Sequence, residues 1–183
     1  AYDSTVEVVV PSMPARDAQA ILADKLAAMH RGGSTHLHAG WLHGAQAIAP
    51  HTREYGVSRV ILLSDGQATD GLRDPEAFAK EAARLAEAGV GSSTYGIGNN
   101  FNEALMTRIA ADGNAFYAET ADALVGYFDN EFSLLSKVVG RRVRLMAIAR
   151  VDGRAIALTN LNGHLKRDEG WALPNLIAGA ETW

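Results

Sequence analysis

Two short stretches collect the side chains best suited to chemistry. In "GGSTHLHAG", residues 32–40, paired glycines lead into the hydroxyls of Ser34 and Thr35 and the imidazoles of His36 and His38. In "RVILLSDGQATDG", residues 59–71, an apolar run breaks into Ser64, Asp65, Gly66 and Gln67. Asp65 follows a strand-like run, where open α/β sheets bind ligands, and a hydroxyl in a glycine-rich loop before a helix can face a ligand. Each stretch also has a plainer use: Ser-Asp-Gly is good turn chemistry, and a hydroxyl before a helix can cap it. Zinc is disfavoured, because the imidazoles of His36 and His38 at i and i+2 do not share a helix face and His43 brings no further ligand with it.

Other motifs fall short of a reaction. "GIGNNF", Gly96 to Phe101, half matches a dinucleotide fingerprint, but Phe101 replaces the third glycine and no acidic residue ends a following strand at the required distance. "DGQATDGLRDPE" fails calcium-loop spacing, since Gln67 and Thr69 fill liganding slots and Asp70 the glycine position. There is no P-loop, Gly-x-Ser-x-Gly elbow or Asp-x-Asp pair.

The elements that must position these residues follow from periodicity. Val6, Val8 and Val10 alternate toward Pro11 and predict a strand. Ala18, Ile21, Leu22, Leu26 and Met29 predict a helical apolar face ended by Gly32 and Gly33, and Leu37, Trp41, Leu42, Ala45 and Ile48 predict a second short helix. "VSRVILL", 57–63, is a continuous apolar run of the kind covered on both faces in a parallel sheet. Asp74 and Pro75 form an N-cap and first helical residue, with Gly89 as the stop. "GVGSSTYGIG" reads as a strand, Asn102 to Asp112 as a helix, "AFYAET" as a strand, and Thr120 as the cap of a helix carrying Leu124, Phe128, Leu135 and Val138. Alternation of strand and helix from 57 to 138 predicts an α/β, doubly wound, mostly parallel sheet. From Arg141 the pattern becomes short strands, with Asp152 and Gly153 as a hairpin signal and a weak echo between "LTNLNG" and "LPNLIAG". The expected organisation is one domain over 1–139 and the start of a small all-β module over 140–183.

Composition narrows the partners. Residues 1–139 carry 10 basic against 17 acidic side chains and residues 140–183 carry 7 against 4, so the parts stand at −7 and +3. A nucleic-acid binder concentrates the opposite charge. No apolar run approaches the roughly 20 residues of a membrane span. Cysteine is absent, which removes disulfides and thiolate sites and leaves the compartment open, with the cytoplasm marginally preferred. The chain opens on "YDSTVEVVVP" and stops at "GAETW", and reads as a fragment of a longer protein.

Taken in order, "GGSTHLHAG", "RVILLSDGQATDG" and "GVGSSTYGIGNNFNEALMTRIAADGNAFYAE" resemble consecutive blocks of a von Willebrand factor type A domain, over about residues 1–138. The resemblance implies a Rossmann-like fold with a metal-ion-dependent adhesion site, usually holding Mg²⁺, on top of the sheet. It is built from an Asp-x-Ser-x-Ser loop, a threonine loop and an aspartate loop. By match, Thr35 is the threonine and Asp65 the aspartate; Ser34, His36, Gly66 and Gln67 border the face that meets a partner. An open metal position would take an acidic side chain of a protein partner.

The Asp-x-Ser-x-Ser loop does not occur in these 183 residues, and "DST" at Asp3 to Thr5 does not fit it. In the family that loop ends the first strand and precedes a helix and a second strand, so the sheet is expected to lack its first two strands here. They are expected from another polypeptide, the other half of a cleaved parent or a second copy. The resemblance implies an interaction module, an adaptor beside a MoxR-type AAA+ ATPase being one setting. The rival readings are a metal-dependent hydrolase acting at Asp65 and a metal-free scaffold.

Overall fold

In a computed structural model of the chain, the described residues are 1–29, 32–52, 56–110, 113–141, 143–146, 150–151, 154–155, 166–167, 170–173 and 175–179. They fall into two compact units, 1–129 and 130–183.

The first unit is built on three parallel strands, β1 (Ser58–Ser64), β2 (Val90–Ile97) and β3 (Ala115–Ala118), in the order β1-β2-β3. β1 and β2 stay in register from Ser58 opposite Val90 to Ser64 opposite Gly96, and β2 pairs with β3 from Thr94 opposite Ala115 to Ile97 opposite Ala118. Parallel strands need crossovers that cover the sheet. Helices α3 (Pro75–Glu87) and α4 (Glu103–Ile109) supply them, and with α2 (Leu37–Ile48) they cover one face, where Leu37, Trp41, Leu62, Phe78, Ala82, Leu105, Met106 and Ile109 form one core. On the other face α5 (Ala121–Ser136) lays Leu124, Tyr127 and Phe128 against Tyr95, Ile61, Phe116 and Ala118. The alternation of Val60 and Leu62 with Ile61 along β1 assigns neighbours to opposite cores. The sheet is therefore doubly wound.

β2 is buried along almost its whole length although three consecutive residues carry hydroxyls. Burying hydroxyls is costly unless they are bonded. Ser92 accepts from Trp41 Nε1 at 2.9 Å, Thr94 donates to the Met106 carbonyl at 3.1 Å, and Ser93 accepts from the Asn114 amide at 3.3 Å. Polar residues thus become ties between the central strand and the elements packed on it.

Local chemistry sets several boundaries as expected. Asp74 accepts from the Glu76 amide at 3.2 Å at the start of α3, Pro75 takes the first helical position, and Gly89 leaves at φ +91°. Asn102 caps α4 by accepting from the Leu105 amide at 3.0 Å, but this helix ends at Ile109, short of the expected Asp112.

Three expectations are corrected. The strand over Val6 to Val10 does not form: the segment has only an isolated antiparallel bridge between Tyr2 and Val6, and Val8 is 65% exposed. β propensity expresses packing against neighbouring strands, and the described residues offer none there. The first helix, α1 (Ala15–Ala27), forms but buries nothing, and its apolar face remains uncovered at Leu22 and Leu26, as does Met29 beyond its end. Val138 lies not in α5 but in β4 (Val138–Gly140), because the helix ends at Ser136.

The second unit is described in short strands. β4 pairs antiparallel with β10 (Leu176–Ile177), and β9 (Gly170–Ala172) pairs antiparallel with both β5 (Arg144–Leu145) and β8 (Lys166–Arg167). β6 (Arg150–Val151) and β7 (Arg154–Ala155) pair antiparallel on either side of Asp152 and Gly153. That turn and the "LTNLNG" stretch lie outside the described residues.

Two side chains probe this account. Phe78 has no exposed surface and stacks on Trp41, so Phe78→Ala should cost about 3–5 kcal/mol. Asp74→Ala should cost about 1 kcal/mol through the lost cap. Urea unfolding followed by circular dichroism measures both.

Candidate functional site

β1 and β2 run the same way, so both release the chain at one edge of the sheet, into loops 65–74 and 98–102. Ligands of open α/β sheets bind at this edge. Residues 32–36, ahead of α2, are brought to the same place by hydrogen bonds. The Thr35 carbonyl accepts from the amides of Thr69 at 3.1 Å and Asp70 at 3.3 Å, while the Thr35 amide donates to Thr69 Oγ1 at 2.8 Å. Gln67 Nε2 then donates to the Asn100 carbonyl at 2.9 Å, which ties in the loop after β2. Three loops from distant stretches of sequence are closed into one face.

Within it, Asp65 and Gln67 are exposed, and Ser34, Thr35, His36 and Gly66 are half-buried. Ser64 Oγ donates to the Gly66 carbonyl at 3.1 Å, the tight turn that Ser-Asp-Gly suggests, and Asp65 stands at its corner. Thr35 does not cap α2. The N-cap residue is His36, without a side-chain cap bond, and Thr35 commits its backbone to the neighbouring loop. The His36 ring lies against Gly71, whose φ of +73° and lack of a side chain both matter: a Cβ there would collide with the imidazole. Thr69 is the residue that motif matching passes over. Its signal in sequence is slight, a hydroxyl in "ATDG" four residues after Asp65.

The N-terminal residues also reach this edge. Tyr2 OH donates to the Leu63 carbonyl at 2.6 Å, one residue before Ser64, and the His36 amide donates to the Asp3 carbonyl at 2.8 Å. Burial raises the Tyr2 pKa above the ordinary phenol value, partly offset by a hydrogen bond with Ser64 and reinforced by the charge of Asp65. The Asp3 carboxylate turns back on its own loop, accepting from the Thr5 amide at 2.8 Å and the Thr5 hydroxyl at 3.1 Å, which lowers its pKa.

As a metal site the face offers the right kind of donor in small number. Thr35 and Asp65 carry a hydroxyl and a carboxylate, hard oxygens of the kind that suits Mg²⁺. Among the described residues, no group of three or more His, Cys, Asp and Glu side chains is placed to hold a metal ion. The His38 ring packs edge-on against Phe78, with centroids 5.3 Å apart, and against Trp41 at 6.3 Å. The fingerprint-like loop is filled from within, because Phe101 covers Gly96 and stacks on Tyr117 at 5.1 Å.

The packing of His38 carries a pH dependence. Burial lowers its pKa below the ordinary imidazole value, opposed by the charge of Glu81 and aided by that of His36. The folded state thus favours neutral His38, and this contribution is whole above the unfolded-state pKa of about 6.5. It declines as pH falls from there through the folded-state value. NMR titration should place His38 below a free histidine, and His38→Gln should flatten the loss of stability below about pH 6.5.

Comparison with known proteins agrees with this architecture. A family model described as the von Willebrand factor type A domain matches residues 1–130. The chain is 35% identical over 117 residues to the uncharacterized protein YfbK of Escherichia coli (strain K12), a match covering 63% of this chain and 19% of that protein. Among solved structures, a von Willebrand factor type A protein from Catenulispora acidiphila superposes with a TM-score of 0.53 at 14% identity, over 72% of this chain and 29% of that one. Proximal thread matrix protein 1 from the mussel byssus, solved with a zinc-occupied MIDAS motif, superposes at 0.50 with 24% identity, over 63% and 28%. At these identities the structures speak for the fold alone, and this chain spans under a third of each relative's length. With the family match extending over most of its residues, the chain belongs to the von Willebrand factor type A domain family.

Proposed function

We propose that this chain is a protein-interaction module that engages its partner at the carboxyl edge of the parallel sheet, through a Mg²⁺ ion and an acidic side chain of the partner. The observation that carries this reading is the closure of the Thr35 loop on the Asp65 loop through the three bonds of Thr35 to Thr69 and Asp70. Thr35 and Asp65 would hold the ion; when bound, it supplies a Lewis-acidic position for a carboxylate. Exposed Gln67 and half-buried Ser34, His36 and Gly66 form the rim that would read the rest of the partner. Family membership supports the interaction role, since metal-ion-dependent adhesion sites recur in these domains.

The same reading has the sheet completed beyond β1 by strands from another polypeptide or a second copy of the chain. β1 pairs on one side only among the described residues, and α1 presents an apolar face that nothing in its own unit buries. Exposed strand edges and apolar helix faces of this kind invite pairing.

Titration of the full chain with Mn²⁺, followed by electron paramagnetic resonance and competed with Mg²⁺, tests the metal arm. Asp65→Ala should abolish saturable binding, and Thr35→Val should weaken it by roughly tenfold or more. Asp- and Glu-containing peptides selected on the chain in Mg²⁺ should dissociate in EDTA. Binding that is indifferent to both substitutions would overturn the assignment.

A further inference from the structure

We propose that residues Tyr2–Val6 form a strap that fixes the spacing between the threonine loop and the aspartate loop, with Tyr2 as its positioning residue. The proposal rests on the reading of that edge as the binding face.

The strap has one anchor on the end of the strand that leads into the aspartate loop and one on the threonine loop. At one end, Tyr2 OH donates to the Leu63 carbonyl at 2.6 Å, so it holds the end of β1 two residues before Asp65. At the other, the Asp3 carbonyl accepts from the His36 amide at 2.8 Å, one residue after Thr35. The space for both anchors comes from missing side chains. A Cβ on Gly40 in α2 would meet the Tyr2 ring, and a Cβ on Gly32 would meet the Asp3 side chain.

The strap is also stiff by itself. The Asp3 carboxylate accepts from the Thr5 amide, the Thr5 hydroxyl and, at 3.4 Å, the Ser4 hydroxyl, and Tyr2 bridges antiparallel to Val6. A rigid turn pinned at two points transmits position; a loose one would not. Packing does not account for the tyrosine, since phenylalanine would fill the space beside Gly40 equally well. The hydroxyl adds the tie to Leu63.

The strap works alongside the Thr35 bonds to Thr69 and Asp70. Those join the two loops directly, whereas the strap joins the threonine loop to the end of β1 from which the aspartate loop departs. Removing the phenol oxygen should therefore loosen both loops together.

Hydrogen exchange of the full chain, read by mass spectrometry, gives the test. Tyr2→Phe should accelerate exchange about two- to tenfold, the equivalent of one hydrogen bond, in peptides covering 33–36 and 64–70. β2 and α4 should keep wild-type rates. Gly40→Ala, which keeps the phenol but crowds its ring, should reproduce the pattern. Acceleration confined to residues 1–7, or spread evenly over the chain, would overturn the strap. Mn²⁺ titration of the same variants separates the two ideas: a wild-type chain that binds no Mn²⁺ would defeat the proposed metal role, while loop exchange would still decide the strap.

Discussion

The parallel pairing of β1 with β2 is the constraint from which the rest follows. Seven residue pairs in unbroken register hold the two strands side by side and pointing the same way. Two strands that run in one direction must release their loops at one edge, and they must be joined by a helix that crosses a face. α3 is that helix, and the position of Asp65 at the β1 exit is a consequence of the direction of the strand rather than of any local preference of Ser-Asp-Gly. β2, paired on both sides and covered on both faces, can then afford a run of hydroxyl residues only because Trp41, Met106 and Asn114 satisfy them. The bonds that make β2 tolerable also lock α2 and α4 to it.

What the sequence made legible was whatever depends on near neighbours. α3 begins at an aspartate followed by proline and is followed by a glycine with positive φ, each acting within a turn of the helix. The apolar run of β1 and the alternation of strand and helix announced the doubly wound sheet. Val6 to Val10 failed because a strand is made by its partners, and valines without a neighbouring strand among the described residues stay exposed or half-buried. α1 shows the complementary case: its amphipathic pattern yields a helix but no burial, since periodicity specifies which side is apolar and not whether anything covers it.

The candidate site divides along the same line. Thr35 and Asp65 were visible as residue types in glycine-bordered loops. Thr69, Tyr2 and Asp3 were not, because their parts are played across separations of 34, 61 and 33 residues, and through backbone groups as much as side chains. A hydroxyl that supports a distant loop carries no local signature. His36 illustrates a middle case, recognisable as a polar residue beside the threonine but held in place by a glycine at position 71 that only the fold brings near.

Backbone bonding also explains how the face can be ordered yet leave Asp65 exposed. The Thr35 carbonyl takes two amides and its own amide takes a hydroxyl, so the loops are joined without the Asp65 carboxylate. The turn beside it is closed by Ser64 and Gly66. A carboxylate used as internal glue, as Asp3 is in its own turn, has its Oδ1 already engaged by the Thr5 amide and hydroxyl. One held at the corner of a turn that other groups have closed remains directed to solvent, where an ion or a partner can reach it. Thr69 thus supports the loops from within, while Asp65 stays exposed beside them.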